Sequence, residues 1–263
     1  MTDTPRDRVA PDRVAQDRVA PDRNPRDQVY AEPRKRLERF VFDDNVARVF
    51  ADMVSRSVPG YELTLTMIGV LAAHYARAHT VCYDLGCSLG ASTLAMRHHA
   101  PEHCRIIAVD NSPAMVERCA ANIKQDQAAP AVDIICADLQ TLQYTDASLV
   151  TLNFTLQFIP AAQRLDLLQR LQRSLISGGA LILSEKIALP GTGEQALFEQ
   201  LHHDFKHAMG YSRMEIAQKR AALDQVLIPD SAATHKERLH RAGFSEVYTW
   251  FQCFNFVSLL AIK

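Results

Sequence analysis

The run Val81-Cys82-Tyr83-Asp84-Leu85-Gly86-Cys87-Ser88-Leu89-Gly90 constrains the fold more tightly than any other part of the chain. Its first five residues read as a short buried strand carrying Asp84. Gly86 then opens a turn of small residues that Gly90 closes, and a helical pattern follows. Glycine has no Cβ to hold a ligand away, so such a turn lets the backbone approach a nucleotide-like group. The dinucleotide-binding fingerprint needs G-x-G-x-x-G. Here Cys87, Ser88 and Leu89 separate the two glycines, so the turn belongs to a different kind of strand-to-helix crossover.

Strand and helix signals alternate downstream. Apolar runs predict strands over Val81–Leu85, Arg105–Asp110, Val132–Ala137, Leu149–Phe154 and Ala180–Ser184. Helical spacing predicts Ser92–His98, Pro113–Gln125 and Ala161–Ser174 between them, with Asn45–Ser57 and Leu63–Arg77 ahead of the first strand. Asp43 or Asp44 supplies an N-cap for the first of these helices, and Val58-Pro59-Gly60-Tyr61 breaks it. Continuous apolar strands separated by helices imply a parallel sheet covered on both faces. The C-terminus differs: Val247–Phe254 and Phe256–Ile262 are β-rich runs separated by Asn255, which reads as a hairpin adding an antiparallel strand. The expected class is therefore α/β, with helices on both faces of the sheet.

The pentad Asp7-Arg8-Val9-Ala10-Pro11 recurs as Asp12-Arg13-Val14-Ala15-Gln16 and Asp17-Arg18-Val19-Ala20-Pro21. Repeated proline blocks a helix, and a stretch this poor in large apolar residues cannot offset the entropy of ordering. Residues 1–37 are thus expected to be a disordered tail, and residues 38–263 one α/β domain with a helical insertion at about 189–235. With 263 residues, a net charge of −1 and 48% hydrophobic residues, the chain can bury a large core and lacks the basic excess of a nucleic-acid binder. Six cysteines without a C-x-x-C pair, and no signal peptide, point to a reduced cytoplasmic protein. No apolar run approaches the roughly 20 residues that span a bilayer.

In open α/β sheets, ligands sit beyond the carboxyl ends of the strands, where strand order reverses. The first strand leads into Gly86-Cys87-Ser88, suited to the amino-acid end of a ligand. The second ends in Asp110-Asn111, where a carboxylate can accept both hydroxyls of a ribose. The third ends in Ala137-Asp138-Leu139, where the acid can accept from an adenine amino group while the leucine packs on the ring. The fourth ends in Asn153, facing the reacting end. Any one of these side chains could merely cap the next helix. Four in register with the glycine turn point to an adenosine-type ligand. His203 and His207 stand four apart on an expected helix, but no third residue has ligand spacing, so no metal is expected.

The turn itself resembles the first motif of class I S-adenosylmethionine (SAM) proteins, and five βα units with a closing pair of strands resemble their seven-stranded fold. A narrower resemblance, over about Phe40 to Lys263, is to the carboxy-S-adenosylmethionine synthase family. It is carried by Tyr83–Gly90, Asp110-Asn111-Ser112-Pro113-Ala114-Met115, Leu152-Asn153-Phe154-Thr155-Leu156-Gln157-Phe158, His202-His203-Asp204-Phe205-Lys206, Gln218-Lys219-Arg220 and Trp250-Phe251-Gln252-Cys253-Phe254-Asn255-Phe256. Leu139 stands where that family usually has isoleucine, and His207 where it has a basic residue. The loop Pro190-Gly191-Thr192-Gly193 and the repeated tail have no family counterpart.

This resemblance implies that SAM and prephenate give carboxy-SAM, phenylpyruvate and water, the product serving a separate enzyme that modifies a wobble uridine of tRNA. It implies a homodimer, with no membrane or direct nucleic-acid partner. Tyr61, Gly86, Cys87, Ser88, Asp110, Asn111, Asp138, Leu139 and Asn153 would contact the cofactor. Arg220 would hold the new carboxylate, in its own subunit or a neighbour's. The expectation is a guanidinium inside the adenosine pocket, where a planar fork that stays charged suits a carboxylate and would oppose an unmodified sulfonium. Hydroxide released as prephenate aromatises would take a proton from the SAM methyl, and CO₂ would add to the carbon left behind. The segment from Leu189 to Pro229 is the expected lid. A SAM-dependent methyltransferase acting on a small acid or RNA, and a non-catalytic SAM-binding module, remain the alternatives.

Overall fold

A computed structural model describes residues 25–34, 36, 38–224 and 226–263. Two helices, α1 (Asp44–Ser55) and α2 (Tyr61–Tyr75), precede the sheet. Then follow β1 (Val81–Leu85), α3 (Ala91–Arg97), β2 (Arg105–Asp110), α4 (Pro113–Gln125), β3 (Val132–Cys136) and β4 (Ala147–Asn153). The second half comprises α5 (Ala161–Ser174), β5 (Leu175–Lys186), α6 (Thr192–Ala208), α7 (Arg213–Leu223), α8 (Ala232–Ala242), β6 (Glu246–Cys253) and β7 (Phe256–Ile262).

The seven strands form one sheet in the order β3-β2-β1-β4-β5-β7-β6. β1 to β5 pair in parallel, while β7 runs antiparallel to both β5 and β6. The last strand of the sequence is therefore internal, and β6 forms the edge. Its burial explains the arrangement: Phe256 to Ala261 are all buried, whereas β6 alternates between half-buried and exposed. Strand order reverses between β1 and β4, which opens a crevice at their carboxyl ends.

Period-two side chains divide the core. Tyr83 and Leu85 of β1 pack with Leu167, Leu168 and Leu171 of α5 and Leu239 of α8 on one face. Cys82 packs with Ile68 and Ala72 of α2 and Met96 of α3 on the other. Local capping sets the helix starts: Asp43 Oδ1 accepts from Val46 N at 2.9 Å, and Ser112, followed by Pro113, accepts from Met115 N at 3.3 Å. Ser212 and Glu215 close a reciprocal capping box on α7.

Most element bounds shift by no more than two residues, and two expectations change by more. β5 spans Leu175–Lys186 rather than Ala180–Ser184, because Leu175 already pairs with Ala147 before Gly178-Gly179 interrupt the apolar run. The expected disordered tail is also too long at its end. Asp27 is 2% exposed, accepts from Tyr211 Oη at 2.5 Å, and its N–H donates to Asp52 Oδ2 at 2.6 Å. Tyr30 packs beside Phe40, Val46 and Met53. The repeats themselves, within residues 1–24, lie outside the described residues. Among the described residues, no helix is long and apolar enough to cross a membrane.

Candidate functional site

A cavity of about 490 Å³ opens at the carboxyl ends of β1 to β4, roofed by α1, the start of α2 and the end of α7. Nine of the ten residues expected at the site line it: Tyr61, Gly86, Cys87, Ser88, Asp110, Asn111, Asp138, Leu139 and Asn153.

The turn after β1 depends on its backbone. Gly86 has φ +81°, and a Cβ placed there would sit 2.3 Å from Thr155 Oγ1. Glycine is required there by conformation and by space. Ser88 also adopts positive φ, 47°, without being glycine. Its N–H donates to Asp110 Oδ2 at 3.0 Å, while Ser112 N–H donates to Oδ1 at 2.9 Å. The Asp110 carboxylate is thereby locked between the first two strand ends, and burial raises its pKa.

Two buried oxygens, Asn153 Oδ1 on a wall residue and Asp84 Oδ1 two residues before Gly86, have no partner among the described residues. The other ends of these groups are anchored. Thr93 Oγ1 donates to Asp84 Oδ2 at 2.5 Å, and Asn153 Nδ2 donates to Ser92 Oγ at 3.1 Å. Burial, helped by the Asp110 charge, pushes Asp84 up to about 7. Burial and the Asp84 charge likewise push the Tyr61 phenol upward. Orphaned acceptors, a fixed carboxylate and an open glycine turn fit a ligand with an ammonium group and a diol, which is the chemistry of SAM. Asp138 accepts from Gln140 N–H at 2.9 Å, so it also closes its own turn.

Several residues in or beside the wall were given no site role in the sequence reading. Phe42 sits edge-on to Phe40, Phe50 and Phe158 at 5.1, 6.1 and 5.4 Å between ring centroids, and all four rings line the cavity. The signal available was a pair of aromatics, Phe40 and Phe42, just ahead of a capped helix. Glu185 is fully buried and accepts the N–H groups of Leu156 and Gln157 at 2.8 and 2.9 Å, fixing the 3₁₀ turn Leu156–Phe158 that follows Asn153. Burial drives Glu185 up to about 8. Phe154, φ 62°, begins this segment in a left-handed conformation that a side chain tolerates at some cost.

Arg220 is the expected site residue that the chain does not bring to its cavity. Its side chain is 51% exposed and meets Glu199 Oε2 at 3.4 Å, so the expectation of a guanidinium inside the adenosine pocket is corrected. One residue earlier on α7, Lys219 does line the cavity and donates to Ser57 Oγ at 3.0 Å. The reason is helical geometry: successive residues lie about 100° apart around the axis, and that turn carries Lys219 to Ser57 and Asp27 and Arg220 out to Glu199. His202 is buried, its Nε2 is 2.8 Å from the Ser57 carbonyl, and burial pushes it down to about 2. Among the described residues, no group of three His, Cys, Asp or Glu could hold a metal ion.

Comparison with known proteins bears on the same region. The model of a methyltransferase domain family matches residues 82–179. The carboxy-S-adenosyl-L-methionine synthase of Hahella chejuensis is 52% identical over 244 residues, covering 90% of this chain and 98% of that protein. That of Geobacter metallireducens is 56% identical over 239 residues, again 90% and 98%. The chain belongs to the carboxy-S-adenosyl-L-methionine synthase family. It is an enzyme of transferase type on a SAM-methyltransferase fold. Solved structures agree on the fold: human N-acetylserotonin methyltransferase in complex with SAM superposes with a TM-score of 0.56 at 17% identity, covering 84% of this chain and 55% of that one. A candidate SAM-dependent methyltransferase of Methanococcus maripaludis gives 0.58 at 16% identity, covering 86% and 95%.

Proposed function

We propose that the enzyme converts SAM and prephenate into carboxy-SAM, phenylpyruvate and water, as a cytoplasmic homodimer whose product a separate enzyme uses to modify a wobble uridine of tRNA. The observation that carries the reading is the reach of the identity. It covers 90% of this chain, far beyond the shared methyltransferase domain at 82–179, and includes the helical layer α6–α7.

One cation in the cavity wall, Lys219, supports the same reading. A methyltransferase gains nothing from a cation beside a sulfonium, because like charges oppose binding. Lys219 at the wall is reasonable if a carboxylate forms or binds there. The balance needs no outside reagent: prephenate loses CO₂ and hydroxide as its ring aromatises, hydroxide takes one methyl proton to become water, and CO₂ bonds to the resulting carbon. Within the chain, the strand-end wall would hold SAM through Gly86, Cys87, Ser88, Asp110, Asn111, Asp138 and Asn153, with Tyr61 and Leu139 packing against it. The segment 189–229, which carries α6 and α7, would close the site against water. Arg220, exposed in its own subunit, would reach a carboxylate only in a neighbouring subunit's cavity, an arrangement a homodimer could supply.

Incubation with SAM and prephenate, followed by mass spectrometry, tests the reading. The expected product is heavier than SAM by the mass of CO₂ and forms in step with phenylpyruvate. Methyl transfer to an added acid or RNA, with S-adenosylhomocysteine as by-product, would replace the proposal with the methyltransferase alternative. For Arg220→Ala, retention of carboxy-SAM should fall while SAM still binds, and equal loss of both would remove Arg220 from the site.

A further inference from the structure

Three lysines on three elements act on one another near the cavity: Lys186 at the end of β5, Lys206 on α6 and Lys219 on α7. Lys219 forms part of the wall. The backbone N–H of Lys186 donates to Oε1 of Gln157, another wall residue, at 3.2 Å. Lys206 lies one helical turn beyond His202, on the same face of α6, and His202 contacts the Ser57 carbonyl in the wall.

Three of the carboxylates nearby are already engaged. Asp27 Oδ2 lies 3.6 Å from Lys219 Nζ, Asp52 holds Arg56 at 2.9 Å, and Glu199 holds Arg220 at 3.4 Å. Lys186 and Lys206 are left with no side-chain hydrogen bond and no carboxylate within ion-pair reach among the described residues. Glu199 and Asp224 still act on Lys186 through space. Lys206 feels mainly like charges, from Lys186, Lys219 and Arg220, although it is only 9% exposed. An ammonium buried among cations costs stability that an apolar chain of similar length would not. Such a cost is a reason to look for a missing anion.

We propose that Lys206 and Lys186, with Lys219 at the wall, form an anion subsite that grips one carboxylate of the acid co-substrate and so selects a dicarboxylate over a monocarboxylate. The inference rests on the synthase reading and deepens it. A dicarboxylate that loses one carboxyl as CO₂ keeps the other on the product. Holding the retained group behind Ser57 would aim the departing one toward the strand-end wall.

The test is steady-state kinetics of wild type, Lys206→Met, Lys206→Arg and Lys186→Met, with prephenate varied at saturating SAM and SAM affinity measured by calorimetry. KM for prephenate should rise about ten-fold or more in both methionine variants, with SAM affinity essentially unchanged and Lys206→Arg close to wild type. Unaltered KM in both methionine variants overturns the subsite, and so does a parallel loss of SAM affinity, which would make the lysines structural. Should Lys206→Met fail to fold, Lys186→Met and Lys206→Arg still decide it. Wild-type enzyme that makes no carboxy-SAM would overturn the synthase reading instead. Malonate then serves as a dianion probe: binding about ten-fold weaker to Lys206→Met than to wild type keeps the subsite, and equal or absent binding ends it.

Discussion

The strand-end wall of the cavity and the helical wall facing it handle charge in opposite ways. At the strand ends, Asp84 is a buried acid held by Thr93, and Asp110 is a half-buried acid in the cavity wall held by Ser88 and Ser112. On the helical side stand Lys186, Lys206 and Lys219, and among the described residues only Lys219 of the three has a carboxylate within ion-pair reach, Asp27 at 3.6 Å. One wall is built from turns that each strand completes locally. The other exists only when β5, α6 and α7 are assembled. If the proposed function holds, the contrast is a division of labour, with the cation SAM met by acids at the strand ends and the anionic co-substrate met by bases on the helical layer.

The sharpest way to break this contrast is at Gly86. Gly86→Ala must place a side chain at φ +81° and 2.3 Å from Thr155 Oγ1. Strain and overpacking of this kind cost about 1–3 kcal/mol each. SAM affinity by calorimetry should fall by two orders of magnitude or more, with a clear drop in Tm. Near-normal binding would mean that the turn does not approach the ligand. Asp110→Ala comes next. Removing a charge-assisted acceptor for a diol should cost about 1.5–3 kcal/mol, or roughly ten- to a hundred-fold in SAM affinity. Prephenate KM should change far less, and an equal change in both would dissolve the distinction between the walls.

How much of each wall could be read in the sequence follows the same line. Val81–Leu85, Arg105–Asp110, Pro113–Gln125 and Ala161–Ser174 begin and end where the periodicity places them, because caps, glycines and apolar runs are local signals. Asp110, Asp138 and Asn153 were visible for the same reason: a strand end has one place to point. The aromatic roof and Lys219 were not, since nothing local says which side chains arrive at a cavity from α1 or α7, and nor was Glu185, near the end of a long β5, as the buried anchor of the turn after β4. Asp27 and Tyr30 were hidden by their neighbourhood, a charged, proline-bearing stretch in which two residues nevertheless find Asp52, Tyr211 and Phe40. Arg220 was legible as a motif residue and illegible in position, because a motif does not say which face of its helix meets the cavity.

Glu185→Gln sharpens the comparison on the sheet side. An amide can accept from only one of the Leu156 and Gln157 N–H groups and presents its own N–H₂ to the other. The cost should be about 1–3 kcal/mol of stability by denaturant unfolding. SAM affinity should fall only several-fold, since the turn, not the ligand, loses its partner. A larger loss of affinity than of stability would place Glu185 in direct service of the ligand.

The smallest effect separates the walls by pH. A lysine ordinarily titrates near 10.5, but burial and the neighbouring cations hold Lys206 down to about 7. Between these values the unfolded chain carries the extra proton, so this residue makes stability rise with pH across that window. Below about 7 both states are protonated and the full penalty of a buried charge persists. Lys206→Met removes the penalty and its pH dependence together. The variant should therefore melt a few degrees above wild type at pH 6, an advantage of about 1–2 kcal/mol that shrinks steadily towards pH 10. Lys186 and Lys219 shift in the same direction but are present in both proteins, so the difference isolates Lys206 as long as its removal leaves their own titration little changed. A variant less stable than wild type at every pH would mean that Lys206 has a structural partner, and the helical wall would then be no costlier to build than the sheet it faces.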